Sequence, residues 1–286
     1  MAWSNFHSHT HYCDGSNLVI DYLRASEKAG LYAYGFSSHA PTPYASCEWA
    51  MKREQLDAYC AEVNALKGSS PVDVYLSLEI DYVPNEMGPS SDWIKKAQLD
   101  YTIASVHFVD FHSNGAPWEI DGPLSEFEKG LKDIFHGNIQ KAVTRYFEIT
   151  RHMIENDCPQ IIGHIDKIKM QNTRKPFFDE QSDWYKKELG KTMECVAVTD
   201  AIVEINTRGL YKKWANETYP GNYGMKLLKE LNIPIMINSD GHHPKEIIGA
   251  YNYAFECVMK HRFKELWTMI DGSFQPCTFN TDGFLL

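Results

Sequence analysis

Long hydrophobic runs are missing from the 286-residue sequence. Stretches such as Ile233-Pro234-Ile235-Met236-Ile237 fall far short of the roughly 20 apolar residues that a membrane span needs. A secretory start is missing too, since Met1-Ala2-Trp3-Ser4-Asn5-Phe6-His7 has neither a basic opening nor an apolar core of signal length. No C-x-x-C pair occurs among the 7 cysteines (Cys13, Cys47, Cys60, Cys158, Cys195, Cys257 and Cys277), an odd number scattered over a large chain. These absences predict a reduced, cytoplasmic protein with no membrane partner. Positive charge is scarce as well: 28 Lys and Arg stand against 38 Asp and Glu, a net charge of −10. The acidic balance argues against a broad basic face for nucleic acid, whereas a locally cationic site is still allowed. With no repeat, low-complexity tract or dividing linker, one domain over residues 1–286 is expected, although the length would accommodate two.

What is present is an alternation. Short apolar, β-rich stretches recur at 2–6, 32–38, 72–80, 101–107, 160–165, 201–206 and 233–239. Between them, 17–29, 51–66, 138–157, 183–198 and 222–231 carry apolar residues at helical spacing. Ser16 or Asn17 can cap the first helix, which stops at Gly30. Alternating strands and helices imply right-handed crossovers and a parallel sheet, and seven or eight such units close naturally into an α/β barrel. Two segments break the pattern: 109–137, rich in Gly, Pro, His and Asp, and 170–182, polar with one Pro. Both are read as loops over the mouth of a site, with surface insertions as the alternative. Residues 275–279 read as a short extra strand.

The chemistry begins at Asn5-Phe6-His7-Ser8-His9-Thr10-His11-Tyr12-Cys13-Asp14-Gly15. Side chains at i and i+2 of extended chain share a side, so His7 and His9 can meet at one metal ion. His11 falls in a turn and is set aside, while Asp14 can swing back toward the same mouth. A lone H-x-H is a weak signal, and its placement says more. The second strand ends in Ser37-Ser38-His39, the third in Glu79-Ile80-Asp81, the fourth in His107 and the fifth in His164. The sixth carries Glu204 and Asn206, and the seventh leads into Asp240-Gly241-His242-His243. In an α/β barrel these ends meet at the face that holds active sites. One buried His at a strand end is more often a hydrogen-bonded core residue than a ligand. A carboxylate such as Glu79 in an apolar strand is harder to dismiss, because unpaired it costs several kcal/mol. The set as a whole points to a metal centre. His112, His136, His152, His243 and His261 lie in loops or on helical faces and are left outside it.

His7-Ser8-His9-Thr10, Ser37-Ser38-His39, Glu79, Ser105-Val106-His107, Gly163-His164-Ile165-Asp166 and Ser239-Asp240-Gly241-His242, in that order, resemble the polymerase and histidinol phosphatase (PHP) family. The segment from Glu204 to Gly209 and the Tyr219-Pro220 step are similar to the branch of that family acting on histidinol phosphate. The resemblance implies a distorted (β/α)7 TIM-like barrel with a trinuclear centre of two to three divalent ions, for which Zn, Mn and Fe all suit the donors. It places His7, His9, Glu79 and Asp240 on one ion, lets Glu79 bridge to a second held by His107 and His164, and gives the third to Asp14, His39 and His242. Two positions depart from the pattern: some relatives carry His where Asp14 falls, and Ala is frequent where Gly241 stands.

Three dications, three carboxylates and one hydroxide leave a centre of about +2, which a phosphate monoester dianion balances. The implied activity is a metal-dependent phosphomonoesterase acting on histidinol phosphate, a small-molecule ester, with a hydroxide between two ions as nucleophile. Arg208 or Lys167 would steady the equatorial oxygens, and Asp240 or His242 would protonate the leaving alkoxide. Tyr44, Trp49 and Trp118 could line an imidazole pocket or simply pack. A family phosphoesterase acting on nucleotides or nucleic acid is the alternative, and the acidic balance weighs against it. A non-catalytic metal-binding protein would need the centre closed by protein ligands.

Overall fold

In the computed structural model, which describes residues 3–285, the first expected strand forms as β1 (Ser4–Asn5), with Ala2 outside the described residues. Helix α1 (Val19–Ala29) ends at Gly30, whose φ of 67° supplies the left-handed residue that closes a helix terminus. Neither Ser16 nor Asn17 caps it. Leu18 holds that position without a side-chain bond, because the Ser16 hydroxyl is turned toward the His242 carbonyl instead. There follow β2 (Ala33–Phe36), α2 (Leu56–Leu66), β3 (Asp73–Leu76), β4 (Glu79–Asp81), α3 (Asp92–Lys96) and β5 (Ile103–Ser105). Strands β6 (Phe108–Phe111) and β7 (Pro117–Glu119) pair as a hairpin ahead of α4 (Leu124–Phe135). Helix α5 (Ile139–Asn156), capped by the Asn138 side chain, leads to β8 (Ile161–Ile162), and α6 (Asp183–Val196) to β9 (Ile202–Asn206). After α7 (Arg208–Tyr211) and α8 (Asn222–Glu230) come β10 (Ile235–Asn238) and α9 (Tyr251–Lys260). The chain finishes in an antiparallel sheet of β11 (Glu265–Ile270), β12 (Ser273–Asn280) and β13 (Gly283–Phe284).

The seven expected strand regions all pair in parallel, the third being split at Ser77-Leu78 into β3 and β4. Among the described residues a continuous closed ladder, as a regular barrel requires, is not found. One sheet runs β1-β2-β3 and the other β4-β5-β8-β9-β10, and they meet through isolated parallel bridges, His39 with Glu79 and Ser8 with Gly241. Side chains take over where the ladder stops. Between β1 and β10, the Asn238 side-chain oxygen accepts from the Phe6 N–H at 2.8 Å, and that of Asn5 accepts from the Ser239 N–H at 3.0 Å. The Tyr251 hydroxyl, placed by α9, reaches the carbonyls of both Ser4 and Ile237.

The two interrupting segments also differ from expectation. Residues 109–137 contain most of the β6–β7 hairpin and the whole of α4, and 170–182 begins inside a 3-10 helix running Lys167–Thr173. The extra strand expected at 275–279 lies within β12, held by its pairing with β11. Phe6, just after β1, joins Tyr101, Ile103, Ile161, Ile202 and Met236, near the starts of their strands, in an apolar floor with Met269 of β11 and Phe274 of β12. Each large side chain buried there contributes about 1.5–3 kcal/mol.

Candidate metal centre

At the opposite, carboxyl-terminal ends, side chains from six of the parallel strand regions converge. Glu79 stands in the middle. Its Oε2 lies 3.2 Å from His7 Nε2, 3.5 Å from His9 Nε2 and 3.1 Å from His39 Nδ1. Its Oε1 lies 3.0 Å from His164 Nε2 and 3.8 Å from His107 Nε2, and accepts from the Ser105 hydroxyl. Asp240 Oδ1 is 3.2 Å from His9 Nε2, while Asp14 Oδ1 is 3.1 Å from His242 Nε2 and 3.8 Å from His39 Nε2. Asp240 adopts a left-handed φ of 53°, uncommon outside glycine, at the turn where Gly241 bridges to Ser8. All nine residues expected to hold metal are therefore brought to one place. His11 is exposed, and the donor sets contain none of His112, His136, His152, His243 or His261.

The donor atoms fit divalent metal. Ligand-type atoms gather within 4.8 Å of one another in overlapping sets: His7, His9 and Asp240; Glu79, His107 and His164; His9, Asp14, His39 and His242; and His39, Asp81 and His107. Buried His7 Nε2, His9 Nε2 and His39 Nδ1 face carboxylates at close range yet make no hydrogen bond. Ring nitrogens aimed at a common point among carboxylates, with no hydrogen bond between them, suit a cation in that place.

Electrostatics divide the imidazoles. Burial and the neighbouring His242 lower His9 to about 4, and burial and His9 lower His39 to about 4, so both are neutral and able to donate a lone pair. Burial works against a charged His7 and a charged His107, but the carboxylates prevail. Glu204, Glu79 and Asp240 raise His7 well above its usual value, and Asp121, against Lys167, helps raise His107 to about 9. For Glu79, burial favours the neutral acid but is outweighed by His7, His39 and His107, which hold the carboxyl far below its ordinary range.

Three further carboxylates belong to the site. Asp81 Oδ1 lies 2.7 Å from His107 Nδ1, and Glu204 Oε2 lies 2.8 Å from His7 Nδ1. Glu204 also accepts from the His164 N–H and the Asn206 and Asn238 amides, so its buried charge is fully hydrogen-bonded. Partners of this kind fix the tautomer and aim of a metal-binding imidazole. Asp81 and Glu204 stand among the ligand-type residues that the sequence shows at the strand ends, but their roles behind His107 and His7 were not assigned there; the i+2 relation of Asp81 to Glu79 and the improbability of a lone carboxylate in the buried strand Ile202–Asn206 are the signals that point to them. Asp121 follows β7 and carries no periodic signal; it lies 2.8 Å from Lys167 Nζ.

A cleft of about 190 Å³ opens onto the cluster. Lys167 and Arg208 both line it. The Arg208 Nη1 donates to the Asp240 carbonyl at 2.8 Å and approaches His242 Nδ1 at 2.5 Å, with its guanidinium over the Trp214 ring. Of the aromatics expected at the mouth, Trp49 borders the cleft. Trp118 packs against Phe127 and Phe135, and Tyr44 against Phe108 and Phe111 with its hydroxyl on Glu86.

Parallel strands ending in a shared histidine–carboxylate cluster, open to a cleft with two cations, define α/β proteins that hold divalent metal beside an anionic ligand. A family model described as the PHP domain matches residues 5–208, and the chain belongs to that family. The chain is 28% identical over 252 residues to a Deinococcus radiodurans protein named "Probable histidinol-phosphatase", covering 84% of this chain and 86% of that one. It is 24% identical over 272 residues to the histidinol-phosphatase of Bacillus subtilis, covering 89% and 97%. Among solved structures, histidinol phosphate phosphatase from Lactococcus lactis, complexed with zinc, L-histidinol and phosphate, matches with a TM-score of 0.74 over 96% of this chain and 98% of that one. At 19% identity that likeness speaks for the fold.

Proposed function

We propose that this protein is a metal-dependent phosphomonoesterase that hydrolyses histidinol phosphate to histidinol and phosphate. The observation that carries the reading is Glu79, a buried carboxylate within 4 Å of five imidazoles, beside a cleft lined by Lys167 and Arg208. Relatives named for this activity support it over most of the chain. In this reading His7, His9, Glu79 and Asp240 hold one ion, Glu79, His107 and His164 a second, and Asp14, His39 and His242 a third. Two to three ions suit the overlapping donor sets, and Zn, Mn or Fe suits the donor chemistry. The seven strands, linked by the His39–Glu79 and Ser8–Gly241 bridges, are read as a distorted (β/α)7 barrel. A reduced, cytoplasmic setting goes with a cysteine set that lacks C-x-x-C pairs.

Bound divalent ions supply Lewis acidity toward the phosphoryl group and lower the pKa of water. The chain's own contribution is placement and charge. Lys167 stays protonated, since Asp121 and more distant carboxylates offset its burial, and Arg208 is held by Asp240 in the same way. Both cations are thus in position for equatorial phosphoryl oxygens, where negative charge must be stabilised. Burial opposes the charge on Asp240, but His7 and Arg208 hold it ionised, while burial and Arg208 keep His242 neutral. Each can accept a proton from the attacking water, at a carboxylate oxygen or a ring nitrogen, and return it to the leaving alkoxide.

The test is steady-state kinetics on protein of measured metal content. We expect kcat/KM for histidinol phosphate to exceed that for nucleoside monophosphates by at least roughly a hundredfold, about 3 kcal/mol. Equal or reversed preference would transfer the protein to the nucleotide-processing reading. Activity indifferent to chelation would remove the metal chemistry altogether.

A further inference from the structure

The two cations that line the cleft are held in different ways. Lys167 is matched by a carboxylate, with Asp121 Oδ2 2.8 Å from its Nζ. Asp240, Tyr211 and Asp14 act on the charge of Arg208, but among the described residues no carboxylate pairs with it directly. It rests instead on a backbone carbonyl and a ring. Its Nη1 donates to the Asp240 carbonyl, and its guanidinium carbon lies 5.2 Å from the ring centroid of Trp214, which lines the same cleft. A ring attracts the flat face of a guanidinium and occupies none of its N–H groups, so most of the five donors stay free for a ligand. Arg174, which is exposed, approaches the same ring at 6.0 Å; of the two, Arg208 is the one that lines the cleft.

The backbone delivers the ring. After α7 the chain turns at Lys213, whose φ is 59°, and the N–H groups of Trp214 and Ala215 both donate to the Gly209 carbonyl, at 2.7 and 3.0 Å. A Cβ at Gly209 would stand 2.8 Å from Ala215 Cβ, so glycine lets the chain fold back and lay Trp214 over Arg208.

We propose that Trp214 is a positioning residue, whose ring holds the Arg208 guanidinium at the cleft wall and leaves its N–H donors for a phosphate. A carboxylate in that place would compete with the phosphate for the same donors. The inference rests on the phosphate-ester reading above. Trp214 acts through Arg208 and takes no part in bond breaking.

The test is calorimetric binding of inorganic phosphate, and separately of histidinol, to metal-loaded wild type, Trp214→Leu and Trp214→Phe, repeated with Arg208→Met. W214L should weaken phosphate by at least about tenfold, while W214F, which keeps an aromatic face, stays within about threefold. Combined with R208M, W214L should change phosphate affinity by less than about twofold, because the residue it acts through is gone. Histidinol affinity should be the same with either residue at 214. If W214L does not fold, W214M, unbranched and adaptable, supplies the same comparison. Unchanged phosphate affinity in W214L would overturn the inference, as would an equal loss with and without Arg208, which is what a purely structural role produces. A loss confined to histidinol would overturn it too. Phosphate binding is read without turnover, so a wild type that binds phosphate yet leaves histidinol phosphate intact would sink the proposed substrate while the Trp214 comparison still decides. A wild type that binds no phosphate would sink both.

Discussion

Phe6 and His7 are neighbours in sequence, both wholly buried, and they face different parts of the interior. Phe6 points into the floor, edge-on to Tyr101 and Phe274 with ring centroids 5.5 and 5.4 Å away. His7 enters the mouth between Glu79 and Glu204. Alternation along extended chain separates them. The floor is satisfied by the chain alone, because apolar surfaces need only each other. The mouth gathers histidines and carboxylates whose lone pairs point at one another, which is stable only when something from outside balances them. Burial is the same in both parts; self-sufficiency is not.

The largest effect should come from the middle of the mouth. Glu79→Gln, or Asp240→Asn, should lower kcat/KM by at least about a thousandfold while circular dichroism shows a folded protein. Near-normal turnover in both would mean the ligand assignment is wrong. One step outward, Glu204→Gln should weaken metal binding by about 10–100-fold, read by competition with a chelator, because His7 loses the carboxylate that aims it. Affinity equal to wild type would place Glu204 in a purely structural role.

Proton release sharpens the comparison from another side. In the metal-free protein the surrounding carboxylates raise His7 well above its usual value and help raise His107 to about 9, which favours protonated rings whose protons an arriving ion must displace. Zinc titration at pH 7 should release at least one proton per chain, measured by calorimetry in buffers of different ionisation enthalpy, and affinity should fall as pH falls. A heat independent of buffer would contradict this. At the floor the pattern should reverse. Met269→Ala should cost about 2–5 kcal/mol of stability in chemical denaturation, with kcat per folded molecule unchanged. The smallest effect is expected at His112, which lies beside Asp133 away from the cluster: His112→Ala should stay within about 0.5 kcal/mol and keep full activity.

What could be read from the sequence follows the same division. The seven strand regions and the residues at their ends were legible, because apolar runs bounded by His, Asp and Glu are local signals. Closure was not legible. The barrel expectation rested on alternation and on the family resemblance, whereas the β1–β10 contact depends on one backbone bridge and on Asn5, Asn238 and Tyr251, far apart in the chain. Residues 109–137 read as a loop from their Gly, Pro and Asp content, and the hairpin within them depends on pairing that composition does not reveal. Asp121 was missed for that reason, since only the fold carries it to the cleft. Glu204 was visible as a ligand-type residue, but one position cannot tell a metal ligand from its buttress.

The seam between β1 and β10 has a consequence for which sequences can adopt this architecture. Backbone ladders accept almost any side chain, so most strand pairs here can drift in sequence and remain joined. A seam that adds two asparagines and a tyrosine to a single backbone bridge is a lock with particular keys. Asn238 faces both ways across it, receiving the Phe6 amide and donating to Glu204 at 3.0 Å. One amide side chain thus fastens the wall and steadies the carboxylate behind His7, and a replacement that loosened the first would unsettle the second.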